Sequence, residues 1–262
     1  RAVGLLPAGE RAGRPRGLAV GTVSPLVMRG PAPVLGWAPQ AMPAAGDDLA
    51  QRLLTLYEAR DPALHAALAS GLASTRLAGN DAMSPKGRMD RPEGMIQAAQ
   101  GAARLLAAPD GPRIAALAFD GWDTHVNEGG ATGRLAQLLG GLDGAIAAFR
   151  DGLGPAWADT TILAVTEFGR TARINGTTGT DHGTGTVAFL AGGAVKGGRV
   201  LADWPGLKPA QLYEGRDLAP TTDLRAVIKG ALAVQWGLSE AALAATVFPG
   251  SERIRANTAL FA

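Results

Sequence analysis

The pattern that most restricts this chain is a helical repeat of apolar residues set between two short apolar runs. Leu135, Leu138, Leu139, Leu142, Ile146, Phe149 and Leu153 recur at three- and four-residue steps, which is the stripe of an amphipathic helix. Before it, Arg113 to Phe119 reads Arg-Ile-Ala-Ala-Leu-Ala-Phe; after it, Thr160 to Val165 reads Thr-Thr-Ile-Leu-Ala-Val. Runs of this kind, apolar without alternation, suit strands covered on both faces. Strand, helix, strand is a βαβ unit, expected to be parallel and right-handed. The class expected is therefore α/β.

The remaining segments fit one domain spanning residues 1–262, with 1–46 as a Pro/Gly-rich irregular segment of it. Within that segment, Leu18 to Val23 and Pro33 to Trp37 read as short strands. Asp47 and Asp48 open a helix to about Ala59, with Leu49, Leu53, Leu54 and Tyr57 as its inner face. Asp61-Pro62 starts another, ending near Gly71. Residues 74–91 read as a loop, and Pro92 to Ala108 as a helix rich in small residues. Thr186 to Leu190 is a third apolar strand. Only a Gly/Thr-rich loop separates it from Thr160–Val165, so an antiparallel return is expected. Pro220-Thr221-Thr222 opens a last helix, with Leu224, Val227, Ile228, Ala231 and Val234 turned inward.

Several classes of function are closed by composition. The chain has no cysteine, which removes disulfides, thiolate metal sites and cysteine nucleophiles together. A net charge of +2 with scattered basic residues argues against a nucleic-acid surface. No apolar run approaches the ~18 residues that span a bilayer. The Gly-rich stretch Gly176 to Gly185 lacks the Gly-Lys-Ser/Thr ending of a phosphate loop. Arg1 begins in a loop-like stretch with no initiator Met and no signal peptide, and a processed or truncated piece of a longer protein is expected.

Histidine is scarce, with three in the chain. Two stand in compact polar clusters: Gly-Trp-Asp-Thr-His at 121–125 and Thr-Asp-His-Gly at 180–183. A third knot, Thr166-Glu167-Phe168-Gly169-Arg170-Thr171, ends the Thr160–Val165 run. Ligands in open α/β sheets bind beyond the carboxyl ends of parallel strands. Asp123 and His125 follow one such end, Glu167 and Arg170 the other. An antiparallel third strand brings the preceding loop, with Asp181 and His182, to the same edge. Asp123, His125, Glu167, Asp181 and His182 would then form a mixed nitrogen and oxygen site. It suits zinc or manganese better than the oxygen cages of calcium or magnesium. Arg170 either contacts an anionic substrate oxygen or pairs with Glu167 or Asp181. Taken singly, each cluster also reads as a turn, with Asp123 and Asp181 capping backbone amides. Asn175-Gly176 is a tight-turn signal within a glycosylation-like sequon, and the turn reading is preferred. His65, among Ala and Leu, is read as packing or surface.

The runs Gly-Trp-Asp-Thr-His (121–125), Thr-Glu-Phe-Gly-Arg-Thr (166–171), Gly-Thr-Asp-His-Gly (179–183) and Gly-Gly-Ala-Val-Lys-Gly-Gly-Arg-Val (192–200) are similar to those of a large bacterial family of unknown function. That family is usually exported by the twin-arginine route and resembles the alkaline phosphatase and sulfatase superfamily. The likeness extends to Val247-Phe248-Pro249-Gly250, and upstream to Arg29–Leu35. It implies a three-layer α/β/α sandwich like that of alkaline phosphatase, its sheet mostly parallel with an antiparallel strand and its amino-terminal portion missing. It also implies a periplasmic or otherwise exported, metal-dependent hydrolase of phosphate or sulfate esters. Its substrate would be an anionic small molecule or an envelope glycan. In that superfamily a strand ends in an acidic metal motif where this chain has Thr166-Glu167. A separate Asp–His pair corresponds to Asp123 and His125, and a later loop histidine to His182. The chain departs from the pattern at Phe168, where related hydrolases carry a second ligand, and no nucleophile is identified among Thr124, Thr166 and Thr171. A non-catalytic exported binding protein that keeps the fold is the alternative.

Overall fold

The computed structural model describes residues 1–6, 15–39, 46–78 and 89–262. In chain order the main elements are α1 (Ala2–Leu5), β1 (Gly17–Val20), β2 (Val34–Trp37), α2 (Asp47–Arg60), α3 (Pro62–Ala78), α4 (Pro92–Ala107), β3 (Ile114–Leu117) and α5 (Arg134–Leu153). They continue with β4 (Ile162–Ala164), β5 (Gly169–Arg170), β6 (His182–Gly183), β7 (Phe189–Ala191), α6 (Leu224–Trp236) and α7 (Glu240–Ala242). The class is α/β. The chain forms two compact units. One joins Arg1–Pro7, Gly121–Leu139 and Pro155–Ala262; the other joins Ala8–Asp120 and Gly140–Gly154.

The second of these units is built on a three-stranded parallel sheet in the order β2-β1-β3. Gly17 stands opposite Val34 and Ile114, and Val20 opposite Trp37 and Leu117. The central strand carries the unbroken apolar run Leu18-Ala19-Val20, and all three residues are buried, as a strand enclosed on both faces requires. Helix α4 starts with Pro92 in its first turn, where a missing N–H costs nothing. Met95, Ala98, Ala99, Ala102, Ala103 and Leu105 are its buried face. Those small side chains let neighbours approach closely. Gly141 of α5 lies against Pro92, Gly144 against Ile96 and Gly152 against Ala103. The Trp37 indole covers Gly101 so closely that a Cβ there would fall 2.1 Å from the ring.

In the other unit β4 pairs antiparallel with β7, Ile162 opposite Ala191 and Ala164 opposite Phe189. The antiparallel return expected from the short Gly/Thr loop is present, starting three residues later than the expected strand. Helix α6 covers this pair: buried Val227, Leu260 and Phe261 pack with Leu163, Leu190, Val195, Leu224 and Ala231. Asp223 caps α6, its Oδ1 accepting from the Arg225 N–H at 2.9 Å. Lys229 is fully buried on α6, and its ammonium donates to the carbonyls of Ser251 and Ile254, both at 2.8 Å, with a Glu240 carboxylate oxygen 3.7 Å away. One charged side chain thereby fixes the turn that follows α7.

Three local readings change. The expected βαβ unit is not formed as a parallel pair: β3 lies beside β1, while β4 belongs to the sheet with β7. Strand order along the chain carries no information about which distant strand supplies the better-buried partner, and β1 is that partner for β3. On α2, Leu49 is 50% exposed and Ala50 is the buried residue. Helix α3 continues past Gly71 to Ala78, its hydroxyl residues Ser74 and Thr75 bonding back to the carbonyls of Ser70 and Gly71. Residues 79–88 of the expected 74–91 loop lie outside the described residues, as do 7–14 and 40–45 of the irregular segment.

Two outcomes follow. Gly101→Val forces its side chain into the Trp37 ring and should cost about 1–3 kcal/mol of overpacking, read as a lowered urea midpoint at unchanged m-value. Asp223→Ala removes the α6 cap at about 1 kcal/mol. The Arg225 side chain, bonded to Asp223, holds that carboxyl below its usual pKa. The ionic contribution is therefore complete above the unfolded value of about 3.9 and is lost as pH falls through the lower folded value. The gap in thermal midpoint between parent and variant should narrow in strong acid and stay constant from pH 5 to 8.

Candidate metal centre

In the segment after β3 the Thr124 and His125 N–H groups donate back to the carbonyls of Trp122 (3.0 Å) and Asp123 (3.2 Å); Asp123 is exposed and His125 half-buried, while Thr124 is 3% exposed. A second segment, 175–182, zips onto it. The Thr180 N–H donates to the Thr124 carbonyl (3.2 Å), and Asn127 and Glu128 donate to the carbonyls of Thr177 (3.0 Å) and Thr178 (3.1 Å). The approach is as tight as backbone allows: a Cβ on Gly179 would lie 2.3 Å from the His125 carbonyl. Non-glycine residues on both strands of this zipper take positive φ, Asn127 at 49° and Thr178 at 59°. For a β-branched threonine that conformation is costly, and it persists because the surrounding bonds dictate it.

Asn175 organises the second segment. Its Oδ1 accepts from the N–H groups of Thr177 (2.9 Å) and Gly179 (3.1 Å). Its Nδ2 donates to the His125 carbonyl and to Asp181 Oδ1, both at 3.0 Å. The Asn-Gly turn expected from sequence is there, and the same side chain also reaches the polar cluster. The short β5–β6 pairing then sets Arg170 opposite His182, and the Thr171 N–H donates to the Asp181 carbonyl at 2.9 Å.

These two segments bring three donor atoms together. His125 Nε2 lies 3.0 Å from His182 Nε2 and 3.0 Å from Asp123 Oδ1. His182 Nε2 lies 3.1 Å from both Asp123 oxygens. Asp181 sits on the far side of the first ring, its Oδ1 3.3 Å from His125 Nδ1. Asn175 and His125, in that order, hold Asp181 below its ordinary pKa, so it is a carboxylate and only accepts. Asp181 thus offers His125 Nδ1 an acceptor, while Nε2 on the other side of the ring faces His182 and Asp123. The Asp123 carboxyl is likewise lowered, chiefly by its bond to His182; desolvation, the next largest effect, opposes this, and Arg170 and the two imidazoles lower it further. A hydrogen between two of these atoms or a cation is what can hold such a set at this spacing.

The set Asp123, His125 and His182 fits a divalent metal ion. One carboxylate and two imidazoles are a nitrogen-rich donor set of the kind zinc and related transition metals take. Separations near 3 Å are what one ion with bonds of about 2.0–2.2 Å can span. Glu167, expected as a ligand, is exposed and stands outside this group. Its neighbour Phe168 instead packs on His182, with ring centroids 4.3 Å apart. Arg170 pairs with Asp123 rather than with Glu167 or Asp181: Nη1 bonds Asp123 Oδ1, Nη2 the Thr180 carbonyl, and Nε the Thr180 hydroxyl at 3.0 Å. His65 lies half-buried on α3, its N–H within the helix. The supporting roles of Asn175, Thr180 and Glu128 were not assigned from sequence. The turn signal at Asn175-Gly176 and the Thr180–Gly183 cluster marked the region without assigning these roles.

Residues 37–247 match the family described as protein of unknown function (DUF1501). The chain belongs to that family. The DUF1501 match contains every residue of the cluster. No curated protein and no solved structure matches the chain. Among the described residues no helix of this DUF1501 protein is long and apolar enough to cross a membrane.

Gly179→Ala should separate the two segments, since the clash is with backbone that cannot move aside. Overpacking of this kind costs about 1–3 kcal/mol, and a fall in thermal midpoint in metal-free buffer checks it. The stabilisation from the Asp123 and Asp181 carboxylates is complete above the unfolded value of about 3.9 and disappears as pH falls through their lowered folded values. Double replacement with Asn should therefore flatten the acid limb of the stability curve below that pH.

Proposed function

We propose that this DUF1501 protein is an exported bacterial metal-dependent hydrolase of phosphate or sulfate esters, with an alkaline-phosphatase-like sandwich as its fold. The observation that carries the reading is the meeting of His125 Nε2, His182 Nε2 and Asp123 within about one bond-pair of each other, from segments more than fifty residues apart. Charge supports it as well. The carboxylates of Asp123, Asp181 and Glu128 outweigh the Arg170 guanidinium by the charge of a divalent cation. When bound, zinc or manganese would polarise a phosphoryl or sulfuryl oxygen and acidify a coordinated water or hydroxyl.

The chain's own groups have defined parts in this reading. Asp123, His125 and His182 hold the ion. Asp181 fixes the His125 tautomer from the opposite nitrogen, as carboxylates beside metal-bound imidazoles do. Arg170 orients Asp123, and its outer N–H groups are left for an anionic ester oxygen. Phe168 packs against His182 with its ring tilted and shields that ligand from water on one side. The substrate class that fits is an anionic small molecule or an envelope glycan carrying a phosphate or sulfate ester.

The test is metal content first and turnover second. Dialysed protein should take up one zinc or manganese ion, measured by calorimetry and elemental analysis, while His125→Ala and His182→Ala should take up none. Asp181→Asn should weaken binding by about 10–100-fold. Metal-loaded protein should then hydrolyse an aryl phosphate or an aryl sulfate. Phe168 supports a second reading, a binding protein with one metal and no catalysis, because an aromatic ring stands where a further ligand would be needed. Metal uptake without hydrolysis of either ester class selects it; no uptake removes both.

A further inference from the structure

We infer that Arg170 is a positioning residue for the metal ligand Asp123, anchored through Thr180 to Glu128, and that this relay sets the affinity of the site. The inference rests on the metal-binding reading above.

Arg170 is more enclosed than the groups around it. Its side chain is 23% exposed, against 50% for Asp123 and 55% for His182. A guanidinium has five N–H donors in one rigid plane. Three of Arg170's are committed to protein acceptors: Asp123 Oδ1, the Thr180 hydroxyl and the Thr180 carbonyl. The two bonds to Thr180 fix the plane of the fork, and the third delivers Nη1 to one particular Asp123 oxygen. The β5–β6 pairing reinforces this from the main chain, placing Arg170 directly opposite His182.

Thr180 is the hinge of the relay. Its hydroxyl accepts from Arg170 Nε and donates to Glu128 Oε2 at 2.6 Å. The side chain is buried and its N–H is tied to the Thr124 carbonyl, between the two ligands of the first segment. The bonds thus run outward from the guanidinium, directly to Asp123 and through the Thr180 hydroxyl to Glu128, so that an anion stands at each end. Glu128 keeps the Thr180 hydroxyl proton turned away from Arg170, so that its lone pair is always available to Nε. Asp123 sits exposed on a loop, and its side-chain contacts other than Arg170 are to the two ligand imidazoles; Arg170 orients it from outside the ligand set before any ion arrives. Pre-orientation of ligands by neighbouring hydrogen bonds is worth about 10–100-fold in metal affinity. Lysine, with one point of charge and no plane, can supply the charge but not the fork.

Cobalt(II) is the probe, since its visible absorption reports the ligand set directly. Wild type, Arg170→Met, Arg170→Lys and Glu128→Gln are titrated, with far-ultraviolet circular dichroism of each metal-free protein as the folding control. The expected result is a loss of about 10–100-fold in cobalt affinity for Arg170→Met with an altered spectrum, partial rescue by Arg170→Lys, and a smaller loss for Glu128→Gln with the wild-type spectrum. If Arg170→Met does not fold, the Glu128→Gln arm decides: affinity equal to wild type overturns the relay. Wild-type affinity and spectrum in a folded Arg170→Met overturn the inference while leaving the metal site standing. No cobalt uptake by wild type overturns the metal site and the relay together.

Discussion

Two imidazole nitrogens and a carboxylate, all acceptors when unprotonated, cannot be pressed together without something positive between them or a scaffold that forbids retreat. In this protein the scaffold is the main chain itself. The 122–128 and 175–182 segments are zipped by backbone hydrogen bonds on either side of the ligands, and Gly179 allows the two backbones to touch. Positive φ at Asn127 and Thr178 is the conformational cost of that contact. Local strain held in place by surrounding bonds is characteristic of sites where geometry matters more than stability.

Around this contact the polar side chains form two supporting arms. One runs from Asn175 to Asp181 to His125 Nδ1 and determines which nitrogen faces inward. The other runs from Glu128 through Thr180 and Arg170 to Asp123. Each arm ends on a different ligand, and each begins on a residue whose polar atoms are otherwise spent on the zipper. The site and the local fold are therefore one hydrogen-bonded object. The β5–β6 pair adjoins it and sets Arg170 opposite His182, while the β4–β7 sheet seats α6 and the carboxyl-terminal turn.

The strongest sequence signals were periodic ones, and they held where burial is uniform. The α5 helix and the apolar β1 run appear, because helix and strand periods act within a few residues; α6 starts at Leu224 with Asp223 as its cap, just after the Pro220-Thr221-Thr222 expected to open it. Pairing failed where it depended on long-range choice. Residues 113–119 and 160–165 are both strands, yet they join different sheets, since each pairs with the strand that buries it best. At the site, Asp123, His125 and His182 were legible because scarce histidines beside aspartates leave few bland explanations. Glu167, the acid at a strand end, is exposed and outside that cluster, and its neighbour Phe168 packs on His182.

What the amino-acid sequence determined alone was the inventory: an α/β chain without cysteine, two Asp–His clusters and a glycine-rich turn between them. Membership of the DUF1501 family is carried by the same linear information. Which atoms meet was decided only by tertiary structure, because a hydrogen bond or a coordination contact depends on distances of tenths of an ångström between residues far apart in the chain. The pairing of Arg170 with Asp123, the approach of Asp181 to His125 Nδ1 and the bond from Thr180 to Glu128 all belong to that second kind of fact. None has a signature in spacing or composition, since each exists only once the two segments are laid against one another.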